Sequence, residues 1–329
     1  MNRAPLSILL LLALLLALLW LAPDVPLLGF GAVLLAIAFH AAARPLMRHA
    51  GMNEPTAVLV VVVTLVLLLA FGVWMGAGPL ATQVAQLAEE LPRSLSEARE
   101  TVAAQPWGPA VLNQVDPQQA LDRMQGQAVS AATGTLGVLS NTVLVPLLAV
   151  YLAVSPGTYR NGLVALLGPN TRSEAQDALQ EMGHVLRGWL LGQGFAMTVT
   201  GLAIWAGLWL IGMPLALPLA LIAAVLGFIP VLGPVLAAIP AVLLALSQDP
   251  WLALWVAGVF LVVQFIEGNI LTPLVQSSAA DLAPALLLLA QLLMGVLFGL
   301  IGVALAAPGL VVAMVLVRRG YIKGWLEQR

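Results

Sequence analysis

The sequence predicts an all-α fold: a polytopic helical membrane protein with roughly six to eight spans, Pro/Gly-broken re-entrant hairpins and a small helical insertion outside the membrane. Three observations carry this reading. Of 329 residues, 61% are hydrophobic and only 9% are charged, whereas a soluble domain carries about 25% charged residues. The apolar residues come in long continuous runs rather than in alternation. A bilayer span must satisfy its own backbone, as a helix or a closed barrel, and continuous runs favour the helix. Finally, GFIPVLGPVLAAIP at 227–240 places Gly227, Pro230, Gly233, Pro234 and Pro240 inside one of the most apolar segments. Proline removes a backbone donor and clashes with the preceding turn, so this segment is expected to break.

A transmembrane helix needs about 20 apolar residues. The first two candidates are 6–22 and 25–43, joined by the proline turn APDVP. The apolar run at 6–22 is longer than a signal-peptide core and lacks a small-x-small cleavage site, so it is read as a retained span. A short basic loop with Arg44, Arg48 and His49 follows, then a third span at 56–78. Residues 1–78 therefore form an N-terminal group of three helices.

The composition then turns polar. Val84, Leu87, Leu91, Leu95, Ala98 and Val102 recur every three or four residues, which is a helical stripe that Pro92 is expected to interrupt. The segment 79–133 is read as an extracytoplasmic helical insertion, with a plain spacer as the competing interpretation. The fourth span lies at 134–154. Residues 155–187 form an amphipathic cytoplasmic segment, with Ala175, Leu179, Met182, Leu186 and Trp189 on its apolar face. It leads into the fifth span at 189–211. The C-terminal core, 188–317, contains two apolar blocks, 214–246 and 283–317. The longer would exceed about 50 Å as one straight helix, against a hydrocarbon core of about 30 Å, so the blocks are expected either to fold back as hairpins or to extend well beyond the membrane. The second block carries Gly299, Gly302 and Pro308 near its middle, and GPVLAAIP and GVALAAP are weakly similar. Paired interrupted segments point to a transport site.

Arg and Lys concentrate on cytoplasmic loops. Arg44 and Arg48, then Arg160 and Arg172, then the basic tail 318–329 all fall on one side, which puts both termini in the cytoplasm. Eight full crossings, or six crossings with two re-entrant hairpins, satisfy this equally. The midpoint breakers favour the hairpins.

An ionisable residue inside a span is a functional candidate by default. The segment VVQFIEGNILTPLVQSS at 262–278 holds Gln264, Glu267, Asn269, Thr272, Pro273 and Gln276. Gln264 and Glu267 are three apart and share a helix face. Gly268 and Pro273 are expected to open the helix there and free backbone carbonyls. A carboxylate beside such carbonyls suits a monovalent cation, a proton or a small polar solute. Gln193 and Gln291 interrupt apolar runs and are expected to bond between helices. The GxxxG pairs Gly188/Gly192 and Gly295/Gly299 are expected to pack helices closely. The chain has no cysteine, which excludes a disulfide framework and a thiol nucleophile. A net charge of −2 gives no footing for nucleic acid. No HExxH, GxSxG or phosphate-loop motif is present, so neither an enzyme, a cofactor nor a metal is expected.

The motifs GFIPVLGPVLAAIPAVLLAL, QFIEGNILTPLVQ, GVLFGLIGVALAAP and LRGWLLGQ together resemble the autoinducer-2 exporter family of bacterial permeases, in order and spacing over about 140–317. The resemblance implies an inner-membrane, multi-pass permease that forms homo-oligomers, with pentamers the expected form. Some members are assigned to export of autoinducer-2, and others resemble sodium (lithium)/proton antiporters. Carried over by position, the family residues are Pro230, Gly233 and Pro234 in one motif and Gln264, Glu267, Asn269 and Pro273 in the other. Ser155-Pro156 and Ala283-Pro284 stand where the family often has an acid and a His-Pro. Three functions compete: exporter of a small polar signal or metabolite, cation/proton antiporter, and a non-transporting scaffold whose insertion recruits a partner.

Overall fold

The computed structural model describes residues 21, 24–76, 79–103, 143–271 and 283–319. The expected first span, the 104–133 part of the insertion and the end of the basic tail fall outside these. Ten α-helices are present among the described residues: α1 (Asp24–His49), α2 (Glu54–Gly76), α3 (Pro79–Ala103), α4 (Val145–Val154), α5 (Pro156–Ala165), α6 (Arg172–Leu210), α7 (Ala216–Leu226), α8 (Leu232–Gln248), α9 (Pro250–Ile266) and α10 (Pro284–Val317). A π-helical turn, Glu267–Leu271, continues α9. Among the described residues, four apolar stretches are long enough to cross a membrane: Val25–His49, Arg172–Leu210, Pro250–Leu271 and Pro284–Val317. Their surfaces carry large apolar side chains, with Val296 85%, Leu210 76% and Leu261 71% exposed. Exposure on this scale marks a surface that meets lipid or protein rather than water.

Local chemistry explains where the helices begin and end. Asn53 precedes α2, and its Oδ1 accepts from the Thr56 amide at 3.2 Å, satisfying one of the donors a helix start leaves open. Asp249 does the same for α9, accepting from the Trp251 amide at 3.1 Å, with Pro250 at the first helical position, where a missing N–H costs nothing. α6 ends in a Schellman motif: the Gly212 amide donates to Trp209 and the Met213 amide to Leu208, with Gly212 at φ +73°, the left-handed conformation this cap demands.

Contacts divide the chain into two compact units. In the first, α1 packs along α4 and also against α10. Its core contains Ala32, Ala36, Phe39, Ala43, Ala57, Val58, Ala149 and Ala153. The small residues let the helix backbones approach closely, as bilayer helices without a hydrophobic drive between them require. In the second unit, α8 packs against α7, α9 and α3. Its core gathers Ile204 and Leu208 of α6, Leu219 and Ala223 of α7, Ala241 and Leu244 of α8, and Val256 and Phe260 of α9. α3 joins this core through Leu87, so the polar helix is a packed part of the unit rather than a loose spacer. It also runs unbroken through Pro92, contrary to the expected interruption.

Both long apolar blocks fold back. The block at 214–246 becomes α7 and α8, joined by the turn 227–231. The block at 283–317 is α10, interrupted at Gly299, whose φ of 63° and ψ of −149° lie in a region open essentially to glycine alone. A Cβ on Gly295 would lie 2.8 Å from Val303 Cγ2. Eight residues of straight helix would hold these positions about 12 Å apart, so the chain reverses at Gly299.

Candidate functional site

The first constellation forms where α9 loses its α-helical register. In the π turn Glu267–Leu271, one extra residue per turn moves backbone groups off their usual partners, a geometry often found at functional sites. Asn269 answers part of this by donating from Nδ2 to Phe265 O at 2.9 Å. The Glu267 carboxylate is partly buried and its Oε2 accepts from Thr200 Oγ1 of α6 at 3.1 Å. Thr200 is only 3% exposed. The ordinary choice for a helical threonine is the carbonyl one turn back. Thr198 makes that choice, donating to Gly194 O at 2.8 Å, whereas Thr200 donates to the acid.

Among the expected residues of this segment, Gln264 and Asn269 are exposed, and Glu267 is the one bonded to α6. Thr272, Pro273 and Gln276 lie outside the described residues. Thr200 was not anticipated from the sequence. A threonine within an apolar helix carries little signal, and its partner lies 67 residues away. The available clue is its position seven residues, or two turns, after Gln193.

The second constellation is the turn between α7 and α8. Gln193, 8% exposed, donates from Nε2 to Gly227 O at 2.6 Å. The next backbone bonds run from Phe228 N to Val225 O and from Ile229 N to Leu226 O. Val231 sits at φ 69°, ψ −56°, and the Leu232 amide donates to Pro230 O at 2.8 Å. That is a three-residue γ-turn of the rare, strained hand. A β-branched residue held there stores about 1–3 kcal/mol. Gly233 follows, and a Cβ on it would overlap the Leu226 carbonyl. Pro234 occupies the first turn of α8, where proline is tolerated.

The tip of α10 repeats this device. A Cβ on Gly302 would overlap the Met294 carbonyl and come within 2.8 Å of Phe298 Cβ. Gly233 and Gly302 are the glycines that open GPVLAAIP and GVALAAP, so the weak sequence similarity corresponds to a shared contact. Two expected breakers are corrected. Pro240 lies inside the continuous helix α8, and Pro308 lies inside α10, nine residues past the reversal and fully buried. Each removes one backbone N–H donor and its hydrogen bond, but neither turns the chain; the turns fall where glycine permits a positive φ or a non-glycine residue is forced into one. Of the GxxxG pair Gly295/Gly299, Gly295 does meet the facing arm closely, a Cβ there lying 2.8 Å from Val303 Cγ2, whereas Gly299 is the bend itself. Gly188 has no atom within 4 Å of its would-be Cβ among the described residues. Gln291 is buried, at 1% exposure, in α10.

A cavity of about 410 Å³ opens beside the base of the α7–α8 hairpin, lined by Gln86, Glu90, Arg93 and Ser94 of α3 and by Ser247 and Gln248 of α8 among others. Ser94 and Ser247 share a hydrogen bond at 3.0 Å. In the first unit, Glu181 of α6 pairs with both Arg318, at 2.6 Å, and Arg319, tying the end of α10 to the amphipathic part of α6. Among the described residues, no group of three or more acidic, histidine or cysteine side chains is arranged to hold a metal ion.

Comparison with known proteins agrees with this architecture. The profile of the AI-2E family transporters matches residues 9–321. The chain is 24% identical over 189 residues to "Putative transport protein YrrI" of Bacillus subtilis (strain 168), covering 57% of this chain and 54% of that one. It is 31% identical over 183 residues to "Putative permease PerM" of Escherichia coli (strain K12), covering 55% and 52%, and 27% identical over 289 residues to "Putative transport protein YhhT" of the same organism, covering 84% and 80%. The match thus spans about half the length of the first two relatives and four-fifths of the third. Apolar helices of spanning length and a profile match over nearly the whole sequence converge on one conclusion: the chain is a multi-pass membrane protein belonging to the AI-2E transporter family.

Proposed function

We propose that this protein exports a small polar signal or metabolite across the bacterial inner membrane, with Glu267 on the path or coupling it to an ion. The observation that carries the reading is the Glu267 carboxylate, set at the π-helical end of an apolar, membrane-length stretch and bonded to a buried threonine. An ionisable side chain within a membrane-length apolar stretch is rare and is a functional candidate by default, and Glu267 is partly buried there. The relatives named as permeases or transport proteins support transport as the class of activity.

The folded-back blocks support six crossings with two re-entrant hairpins. α7 has 11 residues and α8 has 17, both short of the roughly 20 a span needs. α10 has 34 residues divided near its middle. On this reading both termini are cytoplasmic, and the chain assembles as a homo-oligomer, pentameric by the family resemblance, whose neighbouring subunits shield the hairpin backbones from lipid. A sodium (lithium)/proton antiporter is the second reading, favoured by the same carboxylate. A non-transporting scaffold draws no support from α3, whose Leu87 and Leu95 are buried.

The test is efflux of labelled autoinducer-2 from proteoliposomes, with and without a pH gradient, for wild type and Glu267→Gln. Efflux above empty liposomes supports the exporter. A gradient response lost in Glu267→Gln places proton coupling at that residue. Absence of efflux under every condition rejects autoinducer-2 as substrate, and sodium/proton exchange in the same vesicles then decides the antiporter.

A further inference from the structure

We propose that one face of α6 links the hairpin turn to Glu267, so that loss of the Thr200–Glu267 bond loosens the turn at Gly227–Val231. Gln193, Met197 and Thr200 recur at spacings of four and three, which places them in one row along a helix. The row touches both irregular elements of its unit. At one end, Gln193 donates to Gly227 O at 2.6 Å. In the middle, Met197 Cγ lies 3.6 Å from where a Gly227 Cβ would be. At the other end, Thr200 donates to Glu267 at 3.1 Å. The neighbouring Gly201 seats the row against α7: a Cβ there would come 2.7 Å from Ala224 Cβ.

Coupling needs an element with two arrangements that both sites bias. The turn fits, because Val231 is held at a strained φ of 69° and has a relaxed backbone to return to when its restraint is removed. The π turn fits as well, since a one-residue register change returns it to an α-helix. Both departures from regular helix are held by side chains of one rigid rod. A shift of α6 small enough to lengthen one of these bonds acts on the other. Thr200 and Gln193 are therefore positioning residues: Thr200 orients the carboxylate, and Gln193 holds the turn. The inference deepens the transport reading by giving the Glu267 site a gate. Its test uses no substrate, so it stands or falls apart from the flux experiment.

The chain has no native cysteine, so a single reporter thiol is unambiguous. Ile229 is 4% exposed in the turn, and Ile229→Cys reacts with a water-soluble maleimide only when the turn opens. In the full chain in nanodiscs, Gln193→Leu is expected to raise the labelling rate at least fivefold. Thr200→Val, which removes the hydroxyl but keeps the shape, is expected to raise it at least threefold from two helical turns away. Thr200→Ser is expected to restore the wild-type rate. The double variant Gln193→Leu/Thr200→Val is expected to label no faster than Gln193→Leu alone. An unchanged rate in either single variant overturns the proposal, as does a double variant in which the two effects multiply in full. Val256→Cys, fully buried in α9, serves as the control thiol. If Thr200→Val exposes Val256→Cys as much as Ile229→Cys, the variant has loosened the whole unit and the proposal fails.

Discussion

At Gly233 a single added methyl group would overlap the Leu226 carbonyl, and both partners are backbone with no rotamer to yield. Gly233→Ala is expected to destabilise the protein by about 1–3 kcal/mol, the usual cost of forcing extra carbon into a filled site. Thermal unfolding in detergent measures it, and an unchanged midpoint would mean that α7 and α8 sit further apart than described. Thr200→Val is a test of different character. It leaves the volume intact and removes one donor from a partly buried carboxylate, at a cost of about 1–3 kcal/mol; Thr200→Ser should recover most of that stability. At this scale the sequence was half legible. Glu267 and Gln193 stood out because charge and amide are rare in apolar runs. Thr200 did not, because a lone hydroxyl in a helix ordinarily bonds its own backbone, as Thr198 does. Val231 was equally silent, since strain belongs to a conformation and not to a residue type.

Among the elements, the two hairpins showed the clearest agreement between pattern and fold, and also the clearest misreading. The blocks were longer than the hydrocarbon core is thick, which left folding back or extending beyond the membrane; α6, 39 residues long, is continuous, so the breakers and not length alone decided for the hairpins. The turns fall at 227–231 and at Gly299, but Pro240 and Pro308 were miscounted among the breakers. A proline within a helix costs a bond and a steric clash, and packed neighbours compensate for both; Pro308 is fully buried. Gly299 has no such alternative, because its φ and ψ exclude other residues. The reversal gives a direct check. Gly295→Cys/Val303→Cys, in this cysteine-free chain, is expected to cross-link quickly under copper-phenanthroline, because the two positions are in contact. A straight helix would hold them about 12 Å apart, beyond the reach of any disulfide. A mobility shift after cleavage between the two sites separates the outcomes. In the polar helix α3, Leu95→Ala should cost about 2–5 kcal/mol as a buried large-to-small change. Faster proteolysis within 79–103 would report it.

For the molecule as a whole, composition settled the solvent and the class of fold, and no single residue was needed for either. The division into two units was not legible, because each is assembled from segments far apart in the chain. The Glu181 clasp on Arg318 and Arg319 illustrates the difficulty: 137 residues separate Glu181 from Arg318, and in the sequence each is one more charge in a polar segment. Glu181 is 17% exposed while Arg318 is 60% exposed, so water and salt reach the pair from one side and screen it. Glu181→Gln is expected to speed tryptic cleavage after Arg318 and Arg319 severalfold, and wild type at high salt should approach the same rate. Equal rates at low salt would show that the clasp does not hold the end of α10. The reversal at Gly299 also bears on how the protein is made. A membrane-insertion machinery reads hydropathy and length as the chain emerges, and α10 presents 34 apolar-rich residues in a row, about 51 Å if straight. Nothing in that ribbon marks a halt until Gly299 bends. The contacts between the two arms can therefore form only once both have been synthesised and Gly299 has taken its positive φ.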